Sequence, residues 1–208
     1  MFRLAAFLIA AAFVGTMPAS ADPSFNCANA QGATENAICD VPNLQWTDRQ
    51  MARLYKLALT QKPALRRPIQ AGQRSFLVAR DACRDDTDCI ERAYRARLTE
   101  LANFVNVYAA FAEYEPQGMG GSMWIVRFGY DAAVRILTVG GGDHTCWFDT
   151  DSAPQGGKGV IRYADKGANA CRITIAPDSD DVMVVQTKNC SDYCGMRAIL
   201  DGRYSQVP

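Results

Sequence analysis

Glu113-Tyr114-Glu115-Pro116-Gln117-Gly118 is the stretch on which the reading of the fold turns. It is polar and turn-forming, and the texture of the chain changes across it. Upstream, apolar residues recur at helical spacing. Downstream, the chain becomes rich in Gly, Val, Ile and Thr, in short alternating runs. This pattern predicts an α+β protein: a small helical bundle over residues 22–115, then a small antiparallel β sandwich or barrel over 116–208.

Working back from the seam, a long helix is predicted on the stripe Ile90, Tyr94, Leu98, Leu101, Val105 and Tyr108. The turn Arg84-Asp85-Asp86-Thr87 precedes it. Before that turn, a helix opened by Pro68 carries Ile69, Phe76 and Leu77 on one side. Thr47 reads as the N-cap of an earlier helix, with Gln50 completing a capping box and Trp46 stapling onto Met51. That helix carries Met51, Leu54, Tyr55 and Ala58 at i, i+3, i+4 and i+7. Such narrow faces must pack against one another.

Working forward, strands are predicted at 122–128, 132–139, 145–149, 159–163, 170–176, 182–187 and 198–204. Gly129, Gly140-Gly141-Gly142, Gly156-Gly157, Asp178-Ser179-Asp180 and Asp201-Gly202 punctuate them. The spacing is that of a small sandwich or barrel.

The N-terminus has the order of a secretory signal over residues 1–21. Arg3 is followed by the apolar run Leu4 to Val14, then by Ala19-Ser20-Ala21 before Asp22. The run is shorter than a membrane span requires. Cys27 follows Ser24-Phe25-Asn26 rather than a small-residue lipobox. A soluble periplasmic or secreted protein of about 187 residues is expected. Basic and acidic residues balance at 22 each, so no basic stripe points to nucleic acid.

Export explains the eight cysteines, Cys27, Cys39, Cys83, Cys89, Cys146, Cys171, Cys190 and Cys194, as a disulfide framework. Cys27 and Cys39 bracket a polar loop, and Cys83 and Cys89 bracket an interhelical turn. The expected pairs are 27–39, 83–89, 146–171 and 190–194, with cross pairing left open. A metal site on His144, Cys146, Cys190 and Cys194 competes poorly, because oxidation consumes the thiols and there is no Cys-x-x-Cys pair.

Catalytic signals are weak. His144 is the only histidine and has no Gly-x-Ser-x-Gly elbow to serve. Gly140–Gly142 lacks the Lys-Ser/Thr and helix of a phosphate loop. Asp178, Asp180 and Asp181 lack the glycine and distant glutamate of a calcium loop. Asp149 and Asp151 stand two residues apart, thin grounds for a glycosidase pair. No catalytic residue, cofactor or metal is assigned, and no residue is assigned to a partner surface.

Several motifs in the helical half stand together. They are Ser24-Phe25-Asn26-Cys27, Thr34-Glu35-Asn36-Ala37-Ile38-Cys39, Leu44, Asp48, Leu54-Tyr55 and Leu59. They continue with Gln73-Arg74-Ser75-Phe76-Leu77, Arg80-Asp81-Ala82-Cys83, Cys89-Ile90, Tyr94 and Arg97-Leu98. Over about residues 24 to 101 this half resembles the LprI-type lysozyme inhibitors, with Phe76 where that family usually has tryptophan. The resemblance implies an exported antagonist of a lysozyme-type muramidase that occludes the glycan cleft with a rigid loop. The rival classes are a periplasmic binding protein, an envelope-structural protein and an immunity protein.

Overall fold

A computed structural model describes residues 22–208; the signal-peptide reading of 1–21 lies outside the described residues. Four helices come first: α1 (Gly32–Asp40), α2 (Pro42–Gln61), α3 (Arg66–Ala82) and α4 (Thr87–Ala102). Eight strands follow: β1 (Phe111–Pro116), β2 (Gly120–Arg127), β3 (Asp131–Val139), β4 (Thr145–Pro154), β5 (Ile161–Ala164), β6 (Arg172–Ser179), β7 (Val182–Lys188) and β8 (Gly202–Gln206).

Pro42 opens α2 at its first turn, where its missing N–H costs nothing. Thr47 is therefore not a cap. It lies buried inside α2, its hydroxyl donating to the Asn43 carbonyl four residues back (2.8 Å). The last helix stops at Ala102, short of the predicted Tyr108. Residues 103–108 hold two Asn and two Val, poor helix formers. Val105 still reaches the core, whereas Tyr108 is 96% exposed.

The strands form one antiparallel sheet in the order β4-β3-β2-β1-β8-β7-β6-β5. The sheet curls until β4 and β5 nearly meet, joined by an antiparallel bridge between Gln155 and Ile161. The fold is thus a nearly closed barrel rather than a sandwich, and closure removes most of the exposed edge. Alternation assigns the two faces of each strand. Met123, Ile125, Val134, Ile136 and Phe148 fill the interior with Ile173, Ile175, Val185 and Tyr204.

The alternate residues Trp124, Val126 and Ala133 point outward and join the helical core around Trp46, Leu54, Ile90 and Leu98. The bundle is therefore seated on the outer wall of the barrel. Polar links reinforce the seat. Trp46 Nε1 donates to the Thr150 carbonyl (3.1 Å), and Arg53 pairs with Asp131 (3.1 Å) while lying over the Phe128 ring.

The stretch 113–118 is not a linker between the halves. Residues 113–116 belong to β1, which pairs with β2 on one side and β8 on the other. Only Gln117 and Gly118 turn. The chain crosses from helices to barrel earlier, through residues 103–110.

All eight cysteines are bonded. The structure joins Cys27 to Cys39 and Cys83 to Cys89. The other expected pairs, 146–171 and 190–194, do not form. Cys146 bonds Cys194, and Cys171 bonds Cys190. The reason is topological. The 190–195 loop crosses beside the start of β4, where the Gly195 N–H donates to the Thr145 carbonyl (2.8 Å). Cys171, just before β6, lies beside Cys190, just after the adjacent strand β7.

Candidate functional site

The motif residues of the helical half form a buried hydrogen-bond frame. Asp48 on α2 is 1% exposed. Its Oδ1 accepts from the Tyr94 hydroxyl (2.7 Å) and its Oδ2 from the Ser24 N–H (2.6 Å). Burial, and then the Asp48 charge, push the Tyr94 phenol well above its ordinary value, so it stays a neutral donor. Arg97 on α4 reaches α3 twice, through Gln73 Oε1 (3.0 Å) and the Ile69 carbonyl (2.9 Å), and also pairs with Glu100 (2.6 Å). Phe76 packs at 5.1 Å between ring centroids on Tyr94, and Arg80 binds Asp81 (2.7 Å). Most of these residues hold helices together, as buried polar groups must be paired.

What the frame holds outward is the turn from Cys83 to Cys89. The disulfide closes it, and backbone bonds brace it: Cys83 N–H to the Arg80 carbonyl (3.1 Å) and Asp86 N–H to the Cys83 carbonyl (3.1 Å). The Asp86 carboxylate caps α4 by accepting from the Cys89 N–H (2.9 Å). Arg84 takes a left-handed backbone conformation (φ 58°) that carries the chain around the corner. Arg84, Asp85, Asp86, Thr87 and Asp88 are all exposed. The result is a rigid tip with one guanidinium amid three carboxylates. A guanidinium on such a support suits bidentate pairing with carboxylates. No motif signals a site here; the paired cysteines around a charged turn were the available clue.

The residues singled out for chemistry are scattered. His144, half-buried before β4, packs near Gly195, and the thiols of Cys146, Cys190 and Cys194 are consumed in disulfides. Gly140 closes the β3–β4 hairpin by donating to the His144 carbonyl (2.8 Å); a Cβ there would lie 2.6 Å from the Arg197 carbonyl. Asp149 and Asp151 face α2 rather than a cleft. Asp151 accepts from Arg49 Nε (2.9 Å) and Gln50 Nε2 (2.6 Å), and Asp149 accepts from the Trp147 indole (3.0 Å). Burial raises the Asp149 carboxyl, opposed by the Trp147 bond and Arg49. Asp178 pairs with Arg203 (2.6 Å). Among the described residues, no three His, Cys, Asp or Glu side chains gather as metal ligands do.

No helix among the described residues is long and apolar enough to cross a membrane. No family model matches the chain, and no solved structure matches it. The chain is distantly similar to Lipoprotein LprI of Mycobacterium bovis and of two strains of Mycobacterium tuberculosis, at 30% identity over 90 residues. That stretch is 42% of this chain and 45% of each relative, so the chain spans less than half the length of the curated relatives it matches.

Proposed function

We propose that this is an exported inhibitor of a lysozyme-type peptidoglycan hydrolase, acting by protein–protein occlusion and not by catalysis. The observation that carries the reading is the turn Cys83–Cys89. It is exposed, closed by a disulfide, and joins α3 to α4, helices that are tied into the bundle by residues on which the LprI resemblance rests. Four disulfides fit an oxidising compartment outside the cytoplasm. Lysozymes flank their scissile bond with two carboxylates. In the proposed complex, Arg84 enters the cleft and donates to that pair, while Asp85 and Asp88 meet cations on the rim. A pre-ordered turn loses little entropy on docking, so more of the contact energy appears as affinity.

The test is a turbidity assay of muramidase on bacterial cells with the oxidised protein. Stoichiometric inhibition is expected. Arg84→Gln should weaken it by about thirtyfold or more, the cost of removing one partner of a desolvated charge pair. The melting temperature should not change, because the side chain is exposed. Lysozymes of several classes left unaffected by a molar excess would overturn the reading.

A further inference from the structure

A second site, unrelated to the helical turn, lies at one end of the barrel. The β2–β3, β4–β5 and β6–β7 loops and the crossing segment before β1 surround a cavity of about 590 Å³. That size is within the usual range for small-molecule sites, and barrel mouths are a common place for them. Tyr114 and Met183, both from the barrel core, line it from within. Tyr108 and Tyr130 line it from outside and are 96% and 93% exposed. Leaving two aromatic rings in water at one rim forgoes the burial that such side chains ordinarily gain.

The rim is held in place. Arg127, 6% exposed, donates through Nε to Gln155 Oε1 (3.1 Å) and through Nη1 to the Ala109 carbonyl (2.8 Å). The Gln155 N–H in turn binds the Tyr130 carbonyl (2.9 Å). Ala109 (φ 45°) and Lys158 (φ 58°) both sit on this rim in the left-handed region, which costs free energy for residues with a Cβ. One chain of contacts thus fixes Ala109, next to Tyr108, together with Tyr130 and Gln155.

The chemistry of the lining selects a ligand class. Three amide side chains, Asn106, Gln155 and Gln206, stand among its polar groups, beside the hydroxyls of Tyr108, Tyr114, Tyr130 and Ser179. The carbonyl oxygen of Asn106 already accepts from Lys62 Nζ (2.7 Å) and that of Gln155 from Arg127, leaving the amide N–H groups as donors. The cations Arg127 and Lys158 are accompanied by Asp180, and Arg127 already spends donors on Gln155 and the Ala109 carbonyl, so the lining is not a phosphate cradle. Amide donors beside flat aromatic faces suit a molecule with many hydroxyls and apolar C–H faces. We propose that the barrel mouth binds a neutral oligosaccharide, with Tyr108 and Tyr130 stacking on pyranose faces and Asn106 and Gln155 donating to its oxygens.

Titration calorimetry of the oxidised full chain with chitotetraose, cellotetraose and maltotetraose tests this. At least one should bind, and Tyr108→Ala with Tyr130→Ala should weaken it by about tenfold or more, a loss of about 1.4 kcal/mol. Raising the salt concentration from about 0.05 to 0.5 M should change it less than about threefold, as expected for an uncharged ligand. In the wild-type protein, amide NMR shifts on titration should be confined to residues 105–109, 127–130, 155–159 and 177–183 and to the neighbourhoods of Tyr114 and Gln206. The proposal is overturned if none of the three sugars binds at concentrations on the order of millimolar. It is also overturned if affinity survives the tyrosine changes, if the higher salt abolishes binding, or if the shifts fall elsewhere. Muramidase inhibition by the tyrosine variants should equal that of the wild type, which keeps this result separate from the fate of the turn at Arg84.

Discussion

At the scale of single residues, Arg135 links the two halves. It projects from the outer face of β3, is 1% exposed, and donates to Glu91 on α4 (2.7 Å) and Thr47 on α2 (3.0 Å). Its guanidinium lies 4.1 Å from the centroid of the Trp124 ring. Burial lowers its proton affinity from the ordinary value, Glu91 opposes that, and an arginine keeps its charge regardless. Glu91, by contrast, is partly exposed and also accepts from Asn43 (2.9 Å). The two truncations should therefore differ. Glu91→Ala strands a buried cation and should cost about 3–5 kcal/mol. Arg135→Met leaves a carboxylate that water can reach and should cost less, about 1–3 kcal/mol. The double variant should recover part of the Glu91→Ala loss. Urea unfolding measures all three, and an Arg135→Met loss larger than that of Glu91→Ala would refute the account. None of this was legible in the sequence. In Val134-Arg135-Ile136 the arginine reads as the solvent face of an alternating strand, and only the helices packed on that face bury it. Thr47 misled for a similar reason: the Thr-x-x-Gln spacing imitates a capping box, but Pro42 starts the helix five residues earlier.

At the scale of elements, sequence period was a good guide and connectivity a poor one. Most of the alternating runs from 122 onward match real strands, and the apolar stripes match real helices, because each pattern reflects one buried face; of the run 198–204, only 202–204 lies in a strand, β8. β1 escaped notice although Phe111-Ala112-Glu113-Tyr114-Glu115 alternates in burial as a strand should. Its glutamates and Pro116 looked like a seam. They are tolerated because Glu113 faces the helices, where it pairs with Arg95 (2.9 Å) and accepts from the Trp124 indole (3.0 Å). The disulfides divide in the same way. Spacing alone was right for 27–39 and 83–89 but wrong for 190–194: Cys171–Cys190 follows from the pairing of β6 with β7, and Cys146–Cys194 from the closure that brings the 190–195 loop to β4. The long link, Cys146–Cys194, spans 48 residues and Cys83–Cys89 spans 6. In the chain-entropy picture, replacing the first pair with alanines should cost about 4 kcal/mol and the second about 2 kcal/mol. Thermal melts of the two double-alanine variants test the order. Peptide mapping without reduction should recover 146–194 and 171–190 linked peptides, and 190–194 linkage would refute this topology.

At the scale of the whole molecule, the fold and the candidate turn stand in different relations to the seam between bundle and barrel. The turn at Arg84 belongs to α3 and α4, yet α4 is positioned by contacts to β1 and β3. Arg95 meets Glu113, Glu91 meets Arg135, and Trp124, fully buried, sits in the helical core. Neither half keeps its surface intact without the other. A helical fragment exposes Trp46 and Leu98, and a fragment beginning at residue 116 loses β1, which separates β2 from β8. Such a fragment has two new sheet edges and an opened barrel interior. The described chain should therefore unfold in one transition, with far-UV circular dichroism, near-UV circular dichroism and tryptophan fluorescence giving coincident curves. Limited proteolysis should spare 113–116, which lie in a strand held between β2 and β8. Its early cuts should fall in exposed loops such as 166–169. A fragment of 116–208 should lack the dispersed amide spectrum of a folded barrel, because a strand at the centre of the sheet order cannot be removed as a terminal strand can. Two separated transitions, or a folded 116–208 fragment, would mean that the halves are independent units and that the helical turn is oriented without help from the barrel.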